Sequence, residues 1–455
     1  MPRTVIYDLK GGFGSLRQIN ALYEVQQDGP PQGLWNGRTV VQRQQPIEAS
    51  AYQQSLDAGL EPPELTTSTV RYWSDFNRVF FHPRSIVQLN EYELNSSLVP
   101  FERWDTGEDL FSSLDKENDL LDRDIRPFAE EADQMQAIQI MTTVDDAWGG
   151  FASRYIERLR DEYGKTTIWT WGLQDAFPGL NREKRLLRLV NKAKSLTEIY
   201  KQASLLVPLA IPQHLSPHSL ALDSSSAWHT SALLSTAIES ATLPSRLKDL
   251  TNRDSLGNIG NLLNVHGKQT VAHLQMSIAR SDQVPRSENV GDEPSDGLRL
   301  DIDFRPPDDV ADSHRQNGFN VPKIFSQVLA TRGERADEED EEENDGDDRE
   351  DAAHRRRNDR EALSRTYRSQ LSYPTPDSFP KIFRGDDGEI LAGPISVSTA
   401  LTTDTALSQR LRLLRSTVVR SIGVEDRETL SNDLAEMADE YHEGWSSGSD
   451  EGEDD

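Results

Sequence analysis

The stretch MQAIQIMTTVDDAWGGFASRYIERLRDEY, Met135–Tyr163, contains the successive elements that decide the fold. Its apolar first part is rich in strand-forming residues and predicts a β-strand. The strand leads into Gly149 and Gly150, and this glycine pair leads into an amphipathic helix that contains Ser153. The apolar face of the helix consists of Phe151, Tyr155, Leu159 and Tyr163. The stretch therefore predicts a strand–turn–helix unit.

The same order of elements occurs in VIYDLKGGFGSL, Val5–Leu16, where a predicted strand is followed by Gly11, Gly12 and Gly14. Glycines between a strand and a helix let backbone N–H groups approach a phosphate. Glycines also permit a tight turn with positive φ when nothing is bound, so the spacing alone leaves both interpretations open. Two such loops on neighbouring strands could face one phosphate group.

Composition limits the classes of partner. The chain has 455 residues, of which 35% are hydrophobic, and carries a formal net charge of -28 without any cysteine. This charge argues against nucleic acid and anionic membrane surfaces as direct partners and favours basic proteins. No apolar run approaches the roughly 18 residues of a membrane-spanning helix. We expect a soluble, intracellular protein that acts on any organelle from its surface or through a partner.

Several common kinds of catalytic site are absent from the sequence. It contains no P-loop signature, G-x-S-x-G elbow, H-E-x-x-H motif or histidine pair with zinc spacing. Conventional hydrolases and P-loop enzymes are therefore excluded, and we predict neither a catalytic residue nor a metal site.

Short apolar strands alternate with helical patterns through the first half of the chain. This alternation predicts an α/β fold with a mainly parallel sheet and crossover helices. Two helices are expected at Arg185–Tyr200 and Trp228–Leu243, the second ending before Pro244. The strand candidates are TVIYDL (Thr4–Leu9), RVFFHP (Arg78–Pro83), MQAIQIMTTV (Met135–Val144), TTIWTWGL (Thr166–Leu173) and ASLLVPLAIP (Ala203–Pro212).

The second half contains an acidic run and ends in two amphipathic patterns. Twelve of the sixteen residues in Ala336–Asp351 are acidic, which predicts a disordered insertion within a domain. This run is either a solvated charge run or a docking segment for a basic protein. Apolar spacing predicts helices at Leu407–Ile422 and, after an N-cap at Asp426, at Arg427–Tyr441. An acidic tail with nothing to bury follows.

These stretches carry a family resemblance. PRTVIYDLKGGFGSLR, Pro2–Arg17, resembles the tubulin segment P-R-x-x-x-x-D-L-E-P-G, and Met135–Tyr163 resembles the tubulin strand, phosphate loop and helix that ends in R-E-E-Y. The paired C-terminal helices and acidic tail also resemble those of tubulin. More specifically, RVFFHPRSIVQLNEYE (Arg78–Glu93) and PKIFSQVLATRGE (Pro322–Glu334) are similar to the fungal branch of the Misato family of tubulin-like proteins.

The resemblance covers most of the chain and implies a domain order. It implies a tubulin-like α/β fold whose nucleotide-binding-type parallel sheet lacks its first strand and helix, and we expect an upstream exon to encode both. A second α+β domain and C-terminal helices follow. The expected divisions are an N-terminal domain at 1–245, a second domain at 246–400 with a disordered acidic insertion at 334–362, a helical pair at 401–442 and a disordered acidic tail at 443–455.

The resemblance also implies a degenerate GTP site. The positions that match tubulin's nucleotide loops are Asp8, Lys10, Gly11, Gly12, Gly149, Gly150 and Ser153. We expect Gly11 and Gly12 to form one turn and Gly149 and Gly150 to form the facing one. Lys10 replaces an acidic residue near the nucleotide's metal in tubulin. Asp145, Asp146 and Trp148 replace glycine-rich sequence, and their charge and bulk oppose a triphosphate.

The family role implied by the resemblance is the partitioning of mitochondria and the inheritance of mitochondrial DNA. It implies a protein at the cytosolic face of the mitochondrion and in the cytoplasm, with mitochondrial-surface or cytoskeletal proteins, including tubulin, as partners. The departures from tubulin's GTP site predict a non-enzymatic protein. Two alternatives stay open, a filament-forming GTPase and an accessory factor that acts on tubulin.

Overall fold

The structure is a computed structural model that describes most of the chain. The described residues are 2–16, 47–175, 180–212, 215, 217–279, 299–307, 322–333, 363–385, 387–391, 393–421 and 424–442. The predicted acidic insertion at 334–362 and the acidic tail at 443–455 lie outside these ranges. The expectations of disorder for these two segments therefore stay predictions.

Five parallel strands make up the first half of the fold. They are β1 (Ile6–Lys10), β2 (Ile86–Glu93), β3 (Ala137–Thr143), β4 (Thr167–Gln174) and β5 (Leu205–Ala210). β1 pairs with β2, and the other three form a sheet in the order β3-β4-β5. Among the described residues, no ladder joins the β1–β2 pair to the β3–β5 sheet. The prediction of parallel strands connected by helices is confirmed.

One predicted strand is wrong. Arg78–Pro83 is irregular, and the strand lies after it, at Ile86–Glu93. Phe81 is buried, but Val79 and Phe80 are 46% and 56% exposed, so this run has no buried face with which to join a sheet. Pro83 begins a short 3-10 turn. Its ring supplies no N–H for pairing with a neighbouring strand, so the strand begins only after this turn, at Ile86.

Nine α-helices of the described residues accompany the strands. They are α1 (Ala51–Asp57), α2 (Trp104–Asn118), α3 (Arg126–Glu130), α4 (Ala147–Glu162), α5 (Arg182–Gln202), α6 (Ala227–Thr242), α7 (Leu256–Leu263), α8 (Ala406–Val418) and α9 (Val424–Asp439). The expected helices at Arg185–Tyr200 and Trp228–Leu243 correspond to α5 and α6. None of these described helices has both the length and the apolar composition needed to cross a bilayer.

The β3–β5 sheet separates two hydrophobic cores. Side chains alternate along each strand, so Ile168 and Leu206 point into one core while Trp169, Trp171 and Val207 point into the other. The first core is covered by α2, α4 and α5 together with α8 and α9, and the second by α6 and α7. Burial on both faces explains why β4 and β5 read as nearly continuous apolar runs.

A second sheet packs against α6 and α7. Its strands are β6 (His273–Ala279), β7 (Arg299–Asp303), β8 (Ile324–Arg332), β9 (Leu363–Ser369) and β10 (Val397–Asp404). They lie in the order β7-β6-β10-β8-β9. Only β8 and β9 are parallel; the other neighbours are antiparallel. This mixed sheet matches the expectation of an α+β unit after the parallel one.

The two C-terminal helices pack on the first core, mainly along α5. Leu411 and Leu414 of α8 and Leu434 of α9 are buried there, as their spacing predicted. The predicted N-cap at Asp426 is wrong, because α9 already begins at Val424. Asp426 instead forms an ion pair with Lys194 of α5, with 3.1 Å between Oδ2 and Nζ.

Candidate functional site

The first candidate loop is a series of tight turns after β1. The Gly12 N–H donates to the Leu9 carbonyl oxygen (3.0 Å), and the Gly14 N–H donates to that of Gly11 (3.3 Å). Gly11 has a φ of 94°, a conformation that side chains with a Cβ rarely adopt. The prediction of a turn at Gly11 and Gly12 is therefore confirmed.

The side chain of Asp8 is folded back onto this turn. A Cβ atom on Gly12 would lie 2.3 Å from the Asp8 Cγ atom, so glycine is needed at position 12 to leave room for the carboxylate. Asp8 Oδ1 also accepts the Leu9 N–H (2.8 Å), and burial raises the pKa of this carboxyl group. Lys10 lies opposite Glu93 where β1 and β2 end. The turn is thus already occupied by an acidic side chain of the protein.

The second candidate loop ends in a helix N-terminus that the protein caps itself. Asp146 is the N-cap of α4, and its Oδ1 atom accepts the Trp148 N–H at 2.9 Å and the Thr143 hydroxyl at 2.5 Å. The Gly149 N–H donates to the Asp146 carbonyl oxygen (3.3 Å). The orphan N–H groups and the helix dipole favour the carboxylate form, but burial outweighs them and raises the pKa of Asp146. Asp146 therefore takes the interactions that an external anion would use.

A second carboxylate lies beside this cap. Asp145 is buried, and its Oδ2 atom is 3.4 Å from both Arg188 Nη1 and the Asp175 backbone nitrogen. Burial and the neighbouring charge of Asp146 raise the pKa of Asp145 to about 7, although Arg188 opposes the rise. The backbone carbonyl of Asp145 accepts the side-chain amide of Asn191 (3.1 Å). Asp145 thus connects the end of β3 with β4 and α5.

Gly149 and Gly150 do not form the facing turn that the sequence predicted. Both lie inside the first turns of α4, because Asp146 starts the helix earlier than the glycine pair suggests. A Cβ on Gly149 would lie 2.1 Å from Ser195 Oγ of α5, and one on Gly150 would lie 2.0 Å from the Trp104 carbonyl oxygen of α2. These two glycines are therefore explained by close helix packing rather than by approach to a phosphate.

Ser153 is the last of the predicted site residues, and its side chain bonds to the backbone of its own helix. Its hydroxyl donates to the Gly149 carbonyl oxygen at 2.7 Å, one turn earlier in α4. The Ser153 side chain is buried, with only 2% of the residue exposed. It does not present its hydroxyl to a ligand in this arrangement.

Aromatic side chains pack beside the start of α4. The ring of Trp148 lies 5.2 Å from that of Phe101 and 5.7 Å from that of Phe151, both in edge-on geometry. Phe101 in turn packs against Tyr92 near the end of β2. Trp148 therefore fills space at the loop with an apolar contact, as edge-on aromatic pairs do in cores.

A buried polar network links β1 to α4, and the sequence patterns did not reveal it. The Tyr7 hydroxyl donates to Asp124, and its oxygen is 3.1 Å from the hydroxyl oxygen of Tyr155. Arg123 makes a two-pronged contact with the same Asp124 carboxylate, each N–O distance being 2.7 Å. Burial raises the pKa of Tyr7 far above its ordinary value, so the hydroxyl stays protonated. The network therefore has a structural role, because it holds β1 against α4.

The residues that surround Asp145 were also missed. Arg188 and Asn191 lie on α5, more than forty residues away in the sequence, so no local motif connects them to β3. Among the interactions of the described residues, no hydrogen bond or ion pair joins Asp8 or Lys10 to Asp145. Asp8 and Lys10 are thus connected to the start of α4 only indirectly, through neighbours such as Tyr7.

The residues at the two loops do not fit a nucleoside triphosphate. Asp8 covers the first turn, Asp146 caps the second helix, and Trp148 adds bulk beside that cap. Bringing polyphosphate next to these carboxylates is opposed by repulsion in a partly buried site. Within the described part of the chain, no cluster of three or more histidine, aspartate or glutamate side chains is placed to hold a metal ion.

Parallel strands joined by helices, a second mixed sheet and a C-terminal helical pair define a tubulin-like protein. Comparison with known families agrees with this class. Residues 62–247 match the model of a tubulin domain, and residues 1–58 match that of the Misato segment II tubulin-like domain.

Comparison with individual proteins narrows the class to a family. The chain is 56% identical to Protein dml-1 of Neurospora crassa over its whole length, covering 90% of that protein. It is 48% identical to Protein DML1 of Gibberella zeae, also over its whole length and 88% of that protein. Identity to Protein dml1 of Schizosaccharomyces pombe is 30%, over 54% of each chain. The chain belongs to the Misato family of tubulin-like proteins.

Proposed function

We propose that this chain is a non-enzymatic tubulin-like protein that takes part in the partitioning of mitochondria and the inheritance of mitochondrial DNA. Through this role it affects the distribution and morphology of the organelle. It acts by contacts with other proteins at the cytosolic face of the mitochondrion and in the cytoplasm. Membership of the Misato family supports the mitochondrial part of the proposal.

The observation that carries the non-enzymatic part is the self-capped start of α4. In nucleotide-binding α/β folds, the N–H groups at a helix N-terminus bind phosphate. Here the Trp148 N–H is bonded to the Asp146 carboxylate at 2.9 Å, and Asp145 lies buried beside it. A phosphate bound at this helix N-terminus would have to displace the Asp146 carboxylate and approach that of Asp145. The tubulin-like fold is then used as a scaffold rather than as a GTP-driven switch.

The charge of the chain supports protein partners. A formal net charge of -28 repels nucleic acid and anionic lipid and attracts basic protein surfaces. The proposed partners are mitochondrial-surface or cytoskeletal proteins, with tubulin among the candidates.

Nucleotide binding is tested by titrating the purified full chain with fluorescent GTP and magnesium, followed by a phosphate-release assay against tubulin. We expect no saturable binding below about 100 μM and no release above background. The double variant Asp145→Asn with Asp146→Asn removes the opposing charges, while its asparagine side chains still supply an oxygen to cap α4, and we expect any residual affinity to rise. Micromolar binding with magnesium-dependent turnover by the unmodified chain would instead establish a GTPase.

The mitochondrial role is tested by depleting the protein in its fungal host. We expect clumped or unevenly segregated mitochondria and loss of mitochondrial DNA over successive divisions. Re-expression of a Lys10→Ala chain should restore both, because the proposal assigns nucleotide contacts no role. Normal organelle distribution and DNA transmission after full depletion would contradict the proposal whatever the outcome of the GTP titration.

A further inference from the structure

β1 and β3 both contribute to the first hydrophobic core, but they are not paired with each other. Within the described residues, β1 is paired only with β2 and β3 only with β4, so one edge of each strand has no partner. Such an edge presents a row of backbone N–H and C=O groups that can pair with another strand. The first half of the fold therefore contains two open edges next to one core.

Contacts at both ends of β1 and β3 show that the two strands point the same way. Before the strands begin, Arg3 Nη2 donates to the carbonyl oxygen of Glu131 at 2.9 Å. Beyond the strand ends, the ring of Phe101 contacts both Tyr92 at the end of β2 and Trp148, which follows β3. Since β2 is parallel to β1, the starts of β1 and β3 lie near each other and so do their ends. The two open edges are therefore parallel.

Helix α4 packs on both strands. The Tyr7 hydroxyl of β1 lies 3.1 Å from that of Tyr155 in α4, and the Tyr7 ring centroid is 5.4 Å from that of Phe151. Ile138 and Ile140 of β3 pack into the same core as these aromatic side chains. A helix is roughly 10 Å wide and neighbouring strands are about 4.8 Å apart, so one helix can cover two strands with room for another between them.

The burial of β3 is incomplete on both faces. Ile168 of β4 and Leu206 of β5 are fully buried in the first core. Ile138 and Ile140 of β3 face the same core but are only partly buried. On the opposite face of β3, Met141 is 61% exposed. A further strand beside β3 would cover side chains on both faces.

We propose that one more strand of the same polypeptide fills the gap between β1 and β3, and that this strand precedes β1 in a longer natural chain. It runs parallel to both edges and joins the β1–β2 pair and the β3–β5 sheet into one continuous parallel sheet. Every second residue of the strand is apolar, because it packs against α4 between Tyr7 and Ile140. The family resemblance predicted that a first strand is missing, and the two edges add its position, direction and neighbours.

The length of the relatives supports this source of the strand. The whole chain covers only 90% of the Neurospora crassa relative and 88% of the Gibberella zeae relative. A crossover between parallel neighbours needs about a dozen or more residues, and the additional length of these relatives is sufficient for a strand and such a connection.

Strand insertion is tested by adding a synthetic peptide with the N-terminal sequence of Neurospora crassa Protein dml-1 to the full 455-residue chain. We expect micromolar binding by fluorescence anisotropy of the labelled peptide. The amide hydrogens of β1 and β3 should then exchange more slowly together, while those of β5 stay unchanged. The matched control is the same peptide with proline at its centre. Proline has no N–H for pairing, so this peptide should bind at least about tenfold more weakly.

Disulfide formation maps the position of the peptide, because the chain contains no cysteine of its own. Met141→Cys places a single thiol on the exposed face of β3. Peptides with one cysteine at successive positions should cross-link to it at every second position, since side chains alternate between the faces of a sheet. Leu250→Cys is the matched control, because Leu250 is 82% exposed in the loop between α6 and α7 and should give no such alternation.

Three results would overturn the proposal. They are no binding below about 100 μM, equal binding of the proline peptide, and slower exchange in only one of the two strands. Without peptide, faster formation of disulfide-linked dimers by the Met141→Cys chain than by the Leu250→Cys chain would assign the gap to a second copy instead. None of these measurements involves nucleotide or mitochondria, so their outcome is independent of the proposed function.

Discussion

The two glycine-containing junctions that follow β1 and β3 use glycine for different physical reasons. After β1, Gly11 supplies a φ of 94°, and a Cβ there would meet no atom within 4 Å. After β3, Gly150 is helical, and a Cβ there would lie 2.0 Å from the Trp104 carbonyl oxygen. The first position needs conformational freedom, whereas the second needs space. Similar glycine-rich sequence therefore gives a turn in one place and a helix contact in the other.

The junctions also differ in how their backbone donors are satisfied. At the first, N–H groups of the glycine turns bond to carbonyl oxygens of the same turns. At the second, the carboxylate of Asp146 holds the helix N-terminus. Because each junction satisfies its own polar groups, neither depends on a bound phosphate to remain folded.

The largest effect is expected from Gly150→Val. The added side chain would collide with backbone atoms of α2, so the helices must separate, and we expect a loss of about 5 kcal/mol in unfolding free energy or failure to fold. The matched control is Gly164→Val, where a Cβ would lie at an ordinary 3.6 Å from the Arg160 carbonyl oxygen. Urea denaturation followed by circular dichroism measures both. A Gly150→Val chain as stable as the control would show that the helix contact is not tight.

The next effect is a pH dependence carried by Asp145. Its folded pKa of about 7 lies above the value near 4 of an unfolded chain, so folding favours the protonated carboxyl. The contribution of the Asp145 carboxyl to the free energy of unfolding is fully present below about pH 4, and it is lost progressively as the pH rises from 4 through 7. Asp145→Asn should therefore be more stable than the unmodified chain by about 2 kcal/mol at pH 5.5, where the unfolded carboxyl has already ionised, and by roughly 4 kcal/mol at most at pH 8.

Urea denaturation of both chains at the two pH values measures this difference. Asp175→Asn is the control, because Asp175 also pairs with Arg188 but its side chain is 78% exposed. We expect this control to keep most of the pH dependence of the unmodified chain, because the charge of Asp175 is one of the smaller causes that raise the pKa of Asp145. The assignment to Asp145 fails if Asp145→Asn changes stability equally at pH 5.5 and pH 8.

A smaller effect is expected from Gly11→Ala. The new side chain meets no neighbour, so the cost comes only from the positive φ and should be about 1–2 kcal/mol. Gly11→Asn should cost less, because asparagine tolerates left-handed backbone conformations better than alanine. Chemical denaturation ranks the three chains. Equal losses for alanine and asparagine would indicate that something other than backbone conformation requires glycine.

The smallest effect is expected from Asp146→Ala, which removes the N-cap of α4. Loss of such a cap costs about 1 kcal/mol, whereas Asp146→Asn keeps an oxygen acceptor and should cost less. Thermal melts at pH 7 compare the two variants. If asparagine were as harmful as alanine, the cap would not be the main role of this side chain.

Local sequence patterns predicted the regular parts of the fold well. Alternating apolar runs and helical spacings gave the parallel strands β1, β3, β4 and β5 and the faces of α4 and α8, because these elements bury a periodic set of side chains. The pattern failed at Arg78–Pro83, where strand-forming residues are exposed and a proline follows. It also placed the start of α9 too late, because Asp426 pairs with Lys194 instead of capping.

The sequence by itself determined the parallel α/β class, the C-terminal helical pair and the positive-φ turn at Gly11, since each rests on neighbouring residues. Only the tertiary structure decided the roles of Asp145, Gly149 and Gly150. Their partners are Arg188, Ser195 and Trp104, which belong to other helices. Local backbone preference acts within a few residues along the chain, whereas charge pairing and van der Waals exclusion act through space, so only folding brings these contacts together.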